Sequence, residues 1–445
     1  MSKPMLRPVC DAAIATRFRW RPDPACPASV RGGLSAWMAL GLLVVCQPAR
    51  AQDSLRMSAA SAEAARARSQ AATTVDYYNL QLGRSYWSFA ARLGADYDSN
   101  VNLSPTHPEY DFILRPEIDV RMLLPVSDKN SLNLSAGAGY SAYVMHSQLR
   151  RIYVTPDTAV SFDVYAGDFW INLHDRVSIT ENSYQDPTVF GSGNFSQLQN
   201  AAGLGATWDL NKVILKLGYD HLTYATLSGN SGGQSDGHSE VMSFSGGCLL
   251  GPGLQVGLEL GGERPHYDTS GTNALYTDAW QWSVGAFCEA QPGKYFHVRA
   301  NAGYTRYLPE FKNAATSAGD FSGIYAQLEV RHRLNQYMDY TLTAGRSLNF
   351  AFFGGTVDLY FARWNANWKI FLKTSVATSF DFEHGKQLGV TAESFSRYGP
   401  AITLGRPITQ KLSGSLGYRF YWRDSNLASR GYTSSIVTSD LSYRF

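Results

Sequence analysis

Beyond residue 51 the sequence contains no run of about 18 or more apolar residues, which excludes a helical membrane span. It holds no G-x-S-x-G elbow and no H-E-x-x-H pair, so two common hydrolytic chemistries lack their motifs. Charge of one sign is missing as well. The 39 Lys and Arg against 37 Asp and Glu leave a net charge of +2, and no nucleic-acid partner is expected. Cysteine is scarce: of five, Cys10, Cys26 and Cys46 fall in the first 51 residues, leaving only Cys248 and Cys288. Helical repeats of about 34 residues are absent too.

What the chain does have is alternation. From Asp111 to Val126, the residues Phe112, Leu114, Pro116, Ile118, Val120, Met122, Leu124 and Val126 take every second position, with Arg115, Glu117, Asp119 and Arg121 between them. A strand has a side-chain period of two, so one face of this segment is apolar and the other charged. The pattern recurs from Ser85 to the last residue. Arg92 and Asp96 oppose Trp87, Phe89, Leu93 and Tyr97, and Asn133, Ser135, Gly137 and Gly139 oppose Leu132, Leu134, Ala136 and Ala138. One such strand is a weak signal, whereas a series of about 18 marks a transmembrane barrel. The expected fold is all-β, a transmembrane antiparallel up-and-down β-barrel of about 18 strands over residues 85–445.

The connections agree. Tight links at Ser127–Asn130, Gly167-Asp168, Asp209–Lys212, Gly251–Gly253, Gln291–Lys294, Asn335-Gln336, the region of Lys369 and Thr409-Gln410 alternate with long polar stretches such as Glu181–Ser196, Thr223–Ser239, Glu263–Thr277 and Leu308–Asp320. Outer-membrane barrels have short periplasmic turns and longer extracellular loops, so both termini are expected on the periplasmic side. Aromatic residues, 13% of the chain, gather at strand ends as interfacial girdles require. Two residues break the pattern: Asp175 and His221 face lipid in the simple register, which implies a bulge or a shift of strand phase.

At the front, the apolar stretch Leu34–Cys46 followed by Ala49-Arg50-Ala51 reads as a signal peptide over residues 1–51. Residues 52–84 form a periplasmic N-terminal segment, either a tether or a short helix folded into or under the pore. Cys248 and Cys288 lie on strands with one neighbour between them, about 10 Å apart at about 4.8 Å per strand, so two free thiols are expected.

Eighteen-strand barrels enclose an aqueous channel. Register puts Arg92, Arg115, Arg121, Arg176, Arg331, Arg333, Arg419 and Arg423 inside it, with Asp96, Glu117 and Asp119, and these are the lumen-lining binding candidates. Guanidinium forks suit carboxylate-bearing or hydroxyl-rich solutes, and cross-strand pairing is the alternative role for the same charges. Tyr153, Tyr165, Tyr325 and Tyr421 either stack on sugar rings or fill space, and Glu181–Ser196 either folds inward or caps the outside. His174 and His297 point inward on different strands and read as satisfied polar residues, so neither a metal nor a cofactor is expected.

Two segments resemble known families. Val437, Ser439, Leu441, Tyr443 and Phe445 alternate to the chain's last residue, which resembles the signal read by the barrel-assembly machinery. That resemblance implies the machinery as a partner, alongside outer-membrane lipid and lipopolysaccharide. Asp96-Tyr97-Asp98-Ser99-Asn100-Val101 resembles the D-x-N segment of the beta-barrel porin 2 family, with Asp96, Asp98 and Asn100 as the matching residues. Members of that family are similar to barrels encoded with exopolysaccharide assembly systems, which implies polysaccharide and periplasmic export components as partners. The general trimeric porins carry a Pro-Glu-Phe-Gly-Gly motif in a constriction loop. Here only Phe353-Gly354-Gly355 comes near it, far from the third outside loop. The function expected is an outer-membrane channel passing a polar solute, polysaccharide foremost, by passive diffusion, and not an enzyme. A structural or partner-binding barrel is the alternative, with a rim enzyme behind it.

Overall fold

The computed structural model describes residues 78–445 apart from 182–183, 185–186, 192–195, 228–235, 269–277, 311–320, 351–355, 372 and 389–392. The expected signal peptide and most of the segment 52–84 lie outside the described residues. A short strand, β1 (Leu80–Leu82), folds back on β2 (Ser85–Asp98). There follow β3 (Asp111–Pro125), β4 (Ser131–Tyr143), β5 (Arg151–Val154), β6 (Ala159–Ala166), β7 (Phe169–Thr180), β8 (Gln197–Asp209), β9 (Val213–Thr226), β10 (Gly237–Gly251), β11 (Leu254–Tyr267), β12 (Ala279–Gly293) and β13 (Phe296–Pro309). The wall continues through β14 (Phe321–Arg333), β15 (Met338–Phe350), β16 (Thr356–Phe371), β17 (Thr374–Leu388), β18 (Ser394–Pro407), β19 (Leu412–Ser425) and β20 (Tyr432–Arg444).

Neighbours in sequence pair antiparallel, and β20 returns to β2 from Ala90↔Arg444 to Asp98↔Ile436. Since β5 and β6 share one position between β4 and β7, the wall is a closed barrel of 18 strands. Among the described residues every position in the wall is thereby paired to a strand on each side, the condition for placing strands in hydrocarbon.

The side chains invert the pattern of a soluble protein. Ile118, Leu258, Met242, Leu328 and Trp364 are exposed on the outer face, whereas Asp163, Asn172, Asp220 and Glu263 are almost wholly buried inside. The inner polar groups satisfy one another across strands: Asn172 Nδ2 donates to Asp163 Oδ1 at 2.8 Å, and His174 Nε2 lies 2.7 Å from Asp220 Oδ1. Cys248 and Cys288 are free, each opposite Val256 of the strand between them.

The fourth wall strand is broken where the sequence pattern suggests continuity. Four residues, 155–158, stand against the short stretch of β4 between Ser135 and Ala138, and Pro156 among them has no N–H to give a ladder. Threonines repair the loss: Thr155 N donates to Gly137 O at 2.9 Å, and Gly137 N donates to Thr158 Oγ1 at 3.0 Å. The break pushes Pro156 and Asp157 into the lumen.

Asp175 and His221 need neither bulge nor phase shift. Both stay in unbroken register and face outward, on the long-loop side of the apolar belt. There they have polar company: Asn200 Nδ2 donates to Asp175 Oδ1, His221 Nδ1 lies 2.7 Å from Glu240 Oε1, and Arg264 stacks over Trp280 at 4.8 Å. The strands outrun the hydrocarbon on this side, so Thr223–Thr226 and Glu263–Tyr267 are wall rather than loop. At the other rim β12 and β16 also run on, to Gly293 and Phe371, past the Gln291 and Lys369 where the spacing suggests turns.

The barrel's seam carries a lock. Asn79 Nδ2 donates to Phe445 O at 2.6 Å and to Phe89 O at 3.2 Å, while Phe89 N donates to Asn79 Oδ1 at 3.0 Å. Hydrogen bonds of this kind contribute about 1 kcal/mol each. Asn79→Ala is therefore expected to lower the temperature at which the barrel loses its heat-modifiable gel mobility, and an unchanged transition would show the lock to be inert.

Candidate functional site

The third long loop joins β7 to β8, and its described residues, Glu181, Tyr184, Pro187–Gly191 and Ser196, include Tyr184 and Pro187 bound to the inner face of the wall. The phenol of Tyr184 donates to Asp98 Oδ2 at 2.9 Å, and its ring stacks on Tyr421 at 4.6 Å with planes 3° apart. Arg397 Nη1 donates to Tyr184 O at 2.7 Å, and Arg423 Nε donates to Pro187 O at 3.1 Å. These partners sit on β2, β18 and β19, with β6 and β5, β4 and β3 intervening between β7 and β2. Leu103, Tyr184, Val189, Tyr421 and Tyr432 close an apolar cluster around the contact. Of the two courses open to this loop in the sequence, its described residues take the inward one.

The strap is held by buried ions that the register only partly reveals. Arg423, almost fully buried, has Nη2 2.9 Å from Glu393 Oε1 and its guanidinium 4.3 Å from the Phe395 ring. Arg430 Nη1 meets Glu393 Oε2 at 2.8 Å. Arg397 pairs with Glu383. Parity along β17 places Glu383 inside with Asp381, whereas Glu393 lies just before β18 where no alternation applies.

Beneath the loop lies a polar cavity of about 640 Å³. Arg92, Asp96, Arg115, Glu117, Asp119 and Arg121, six of the residues that register assigns to the lumen, converge on it with Tyr153, Asp157, Glu181 and Asp440. Arg115 Nη1 lies 2.7 Å from Asp96 Oδ2 and its Nε 3.7 Å from Glu181 Oε1. Arg92 reaches Asp440 at 2.9 Å and Glu117 at 3.7 Å, and the Tyr153 phenol donates to Glu117 Oε2 at 2.8 Å. The remaining candidates lie elsewhere. Arg176 lines a smaller cavity of about 170 Å³ beside Tyr224, Arg419 donates to the Tyr421 hydroxyl, and Arg423 belongs to the strap. Arg331 pairs with Glu329, and with Arg333 it stands near the short-turn end of β14.

Asp98 and Asn100 serve the loops. Asp98 Oδ1 accepts from Asn100 N at 2.9 Å and from Ser434 Oγ at 2.7 Å, and Asn100 Nδ2 donates to Ser104 O and Thr433 O, both at 2.9 Å. The Asp-x-Asn spacing thus closes the first long loop and presents a carboxylate to Tyr184. Of the inner tyrosines, Tyr153 faces the cavity, Tyr421 carries the strap, and Tyr325 donates to Glu259 Oε1 at 2.7 Å.

Glu181 opens the third loop against Arg115, Arg151 and the Ser141 hydroxyl, and burial raises its carboxyl above the ordinary glutamate range. Burial, then the Asp98 carboxylate, holds the Tyr184 phenol well above its usual value, so it stays a donor. A carboxyl whose folded value exceeds its unfolded one adds stability below the unfolded value and loses that contribution as pH rises through the folded value. On this sign the attachment of the loop is expected to strengthen as Glu181 takes up its proton. Single-channel conductance is expected to fall as pH drops from neutral toward the glutamate range, and Glu181→Gln to flatten that slope; an identical slope in the variant rules the residue out.

No family model matches the chain, and no curated protein matches it either. The resemblance of Asp96–Val101 to the beta-barrel porin 2 family therefore stands on those residues alone. Among solved structures the chain is similar to OccK2 (OpdF) of Pseudomonas aeruginosa in complex with glucuronate, at 12% identity and a TM-score of 0.46 over 82% of this chain and 99% of that one. It is also similar to OccAB3 of Acinetobacter baumannii, at 10% identity and 0.45 over 82% and 100%. A BenF-like porin from Pseudomonas fluorescens Pf-5 follows at 9% identity and 0.46 over 82% and 100%. At such distances the likeness extends to neither solute nor partner.

Proposed function

We propose that this chain is an outer-membrane channel through which a small polar solute diffuses passively, selected where the third loop crosses the lumen. The observation that carries the reading is the strap itself, with Tyr184 and Pro187 bound to the inner face of distant wall strands above a cavity of about 640 Å³. A barrel of this strand number has room for an aqueous channel, and a loop pinned across it sets the size of what passes. The apolar outer face supports a wall set in lipid, and the alternation of short turns with longer loops supports both termini on the periplasmic side.

Leu441 and Phe445 are exposed on the outer face, open to the assembly machinery that their alternation suggests, and the polar outer rim around His221 and Glu240 has the chemistry to meet lipopolysaccharide headgroups. Polysaccharide draws no support from Asp98 and Asn100, whose hydrogen bonds are spent on the loops. A solute small enough to pass beside the strap fits better.

Liposome swelling tests the reading. Vesicles carrying the full-length barrel are expected to swell in isotonic solutions of small polar solutes, with rates falling steeply as solute size grows. Vesicles that swell no faster than protein-free ones, although the barrel is folded in them, would refute a channel.

A further inference from the structure

The cavity beneath the third loop is unbalanced in charge. Three arginines of its lining, with Arg151 behind Glu181, face six carboxylates. Arg115 is spent on Asp96 and Glu181, and Arg92 on Asp440 and Glu117. Asp119 and Asp157 add further negative charge to the same wall, against Arg121. Protonating Glu181, the form its burial favours, still leaves carboxylates in excess.

This acidic wall is built by two local devices. Gly137 and Gly139 on β4 clear the floor: a Cβ on Gly137 would come within 2.7 Å of Asp119 Oδ1, and one on Gly139 within 2.4 Å of the Tyr153 ring. The break after β5 then carries Asp157 inward. Low-dielectric walls of one charge sign concentrate counter-ions between them, and an aromatic ring beside carboxylates adds a face for a cation.

We propose that this cavity is a selectivity site for cationic solutes, organic ammonium or guanidinium compounds that fit within about 640 Å³. The inference rests on the channel reading above and names its solute class. It reverses the preference for carboxylate-bearing solutes that the arginines suggest when counted along the whole barrel, because at this level each of Arg92 and Arg115 is already held between two acids.

Reversal potentials across a planar bilayer under a potassium chloride gradient test it, with cadaverine and glutarate, five-carbon chains of opposite charge, as blockers. The wild-type channel is expected to prefer potassium and to be interrupted by cadaverine but not by glutarate. Asp119→Asn combined with Asp157→Asn is expected to lower the cation-to-anion permeability ratio about fivefold, the effect of neutralising charges within a few ångströms of the path, and to abolish the cadaverine block. Asp157→Asn alone, outside the strand ladder, gives a smaller shift of the same sign and guards against misfolding of the double variant. A conducting wild-type channel that prefers chloride, or variants that conduct with unchanged selectivity, would overturn the cation site. A folded barrel with no conductance would overturn the channel reading itself, and the site with it.

Discussion

Arg423→Ala is expected to free the third loop, raising single-channel conductance and broadening its fluctuations. The guanidinium joins the carbonyl of Pro187 in the loop, the carbonyl of Arg430, the Glu393 carboxylate and the Phe395 ring. Removing one partner of a buried ion pair costs about 3–5 kcal/mol because the other charge is left unpaired. Here Arg430 stays on Glu393, so the loss falls at the low end, about 3 kcal/mol, and the barrel survives it. Tyr184→Phe is the milder companion. It deletes the donor to Asp98 yet keeps the ring on Tyr421 and leaves Ser434 on the carboxylate, a change of about 1 kcal/mol. Conductance is expected to rise in the order wild type, Tyr184→Phe, Arg423→Ala. Equal conductance in all three, with folded barrels throughout, means the loop does not limit passage.

The second large effect separates two adjacent residues. Leu342 faces outward near the middle of the apolar belt, between Val330 and Trp364, while Thr343 faces the lumen between Glu329 and Arg363. An arginine on the lipid face near the midplane costs about 2–4 kcal/mol, whereas the lumen tolerates charge. Leu342→Arg is expected to lower the stability of the reconstituted barrel to urea by that amount. Thr343→Arg, with Glu329 opposite, is expected to leave stability nearly unchanged. Equal losses would mean that the two faces do not meet different solvents.

The wall was legible because a period of two survives without any knowledge of partners. Phe112 to Leu124 against Arg115 to Arg121 announces both faces of β3, and the pairing of β3 with β2 and β4 obeys that parity. Even Asp175 and His221, apparent exceptions, are outward as the parity says. The mistaken inference was that lipid must meet every outward residue, whereas these strands rise into the polar zone. Strand ends were harder to place, since pairing continues past the apolar residues: Glu263–Tyr267 reads as loop by composition yet extends β11.

The site was half legible. Parity places Arg92, Arg115 and Asp119 inside, but it gives no heights around the barrel, so it cannot show that these meet in one cavity while Arg331 and Arg333 stand near the other rim. The strap was least legible. Tyr184 and Arg423 are far apart in sequence, joined by Arg423 reaching Pro187 in the loop that carries Tyr184, and only closure of the barrel brings them together. Pro156 was a signal for the strand break that alternation of Val154 with Val160 conceals.

The central claim is a water-filled barrel narrowed by its own third loop, and single-channel recording of the full chain in planar bilayers tests it most directly. Discrete, ohmic conductance steps that enlarge when Arg423 is replaced by alanine are the predicted result. A heat-modifiable, membrane-inserted barrel that passes no current in either form would contradict it.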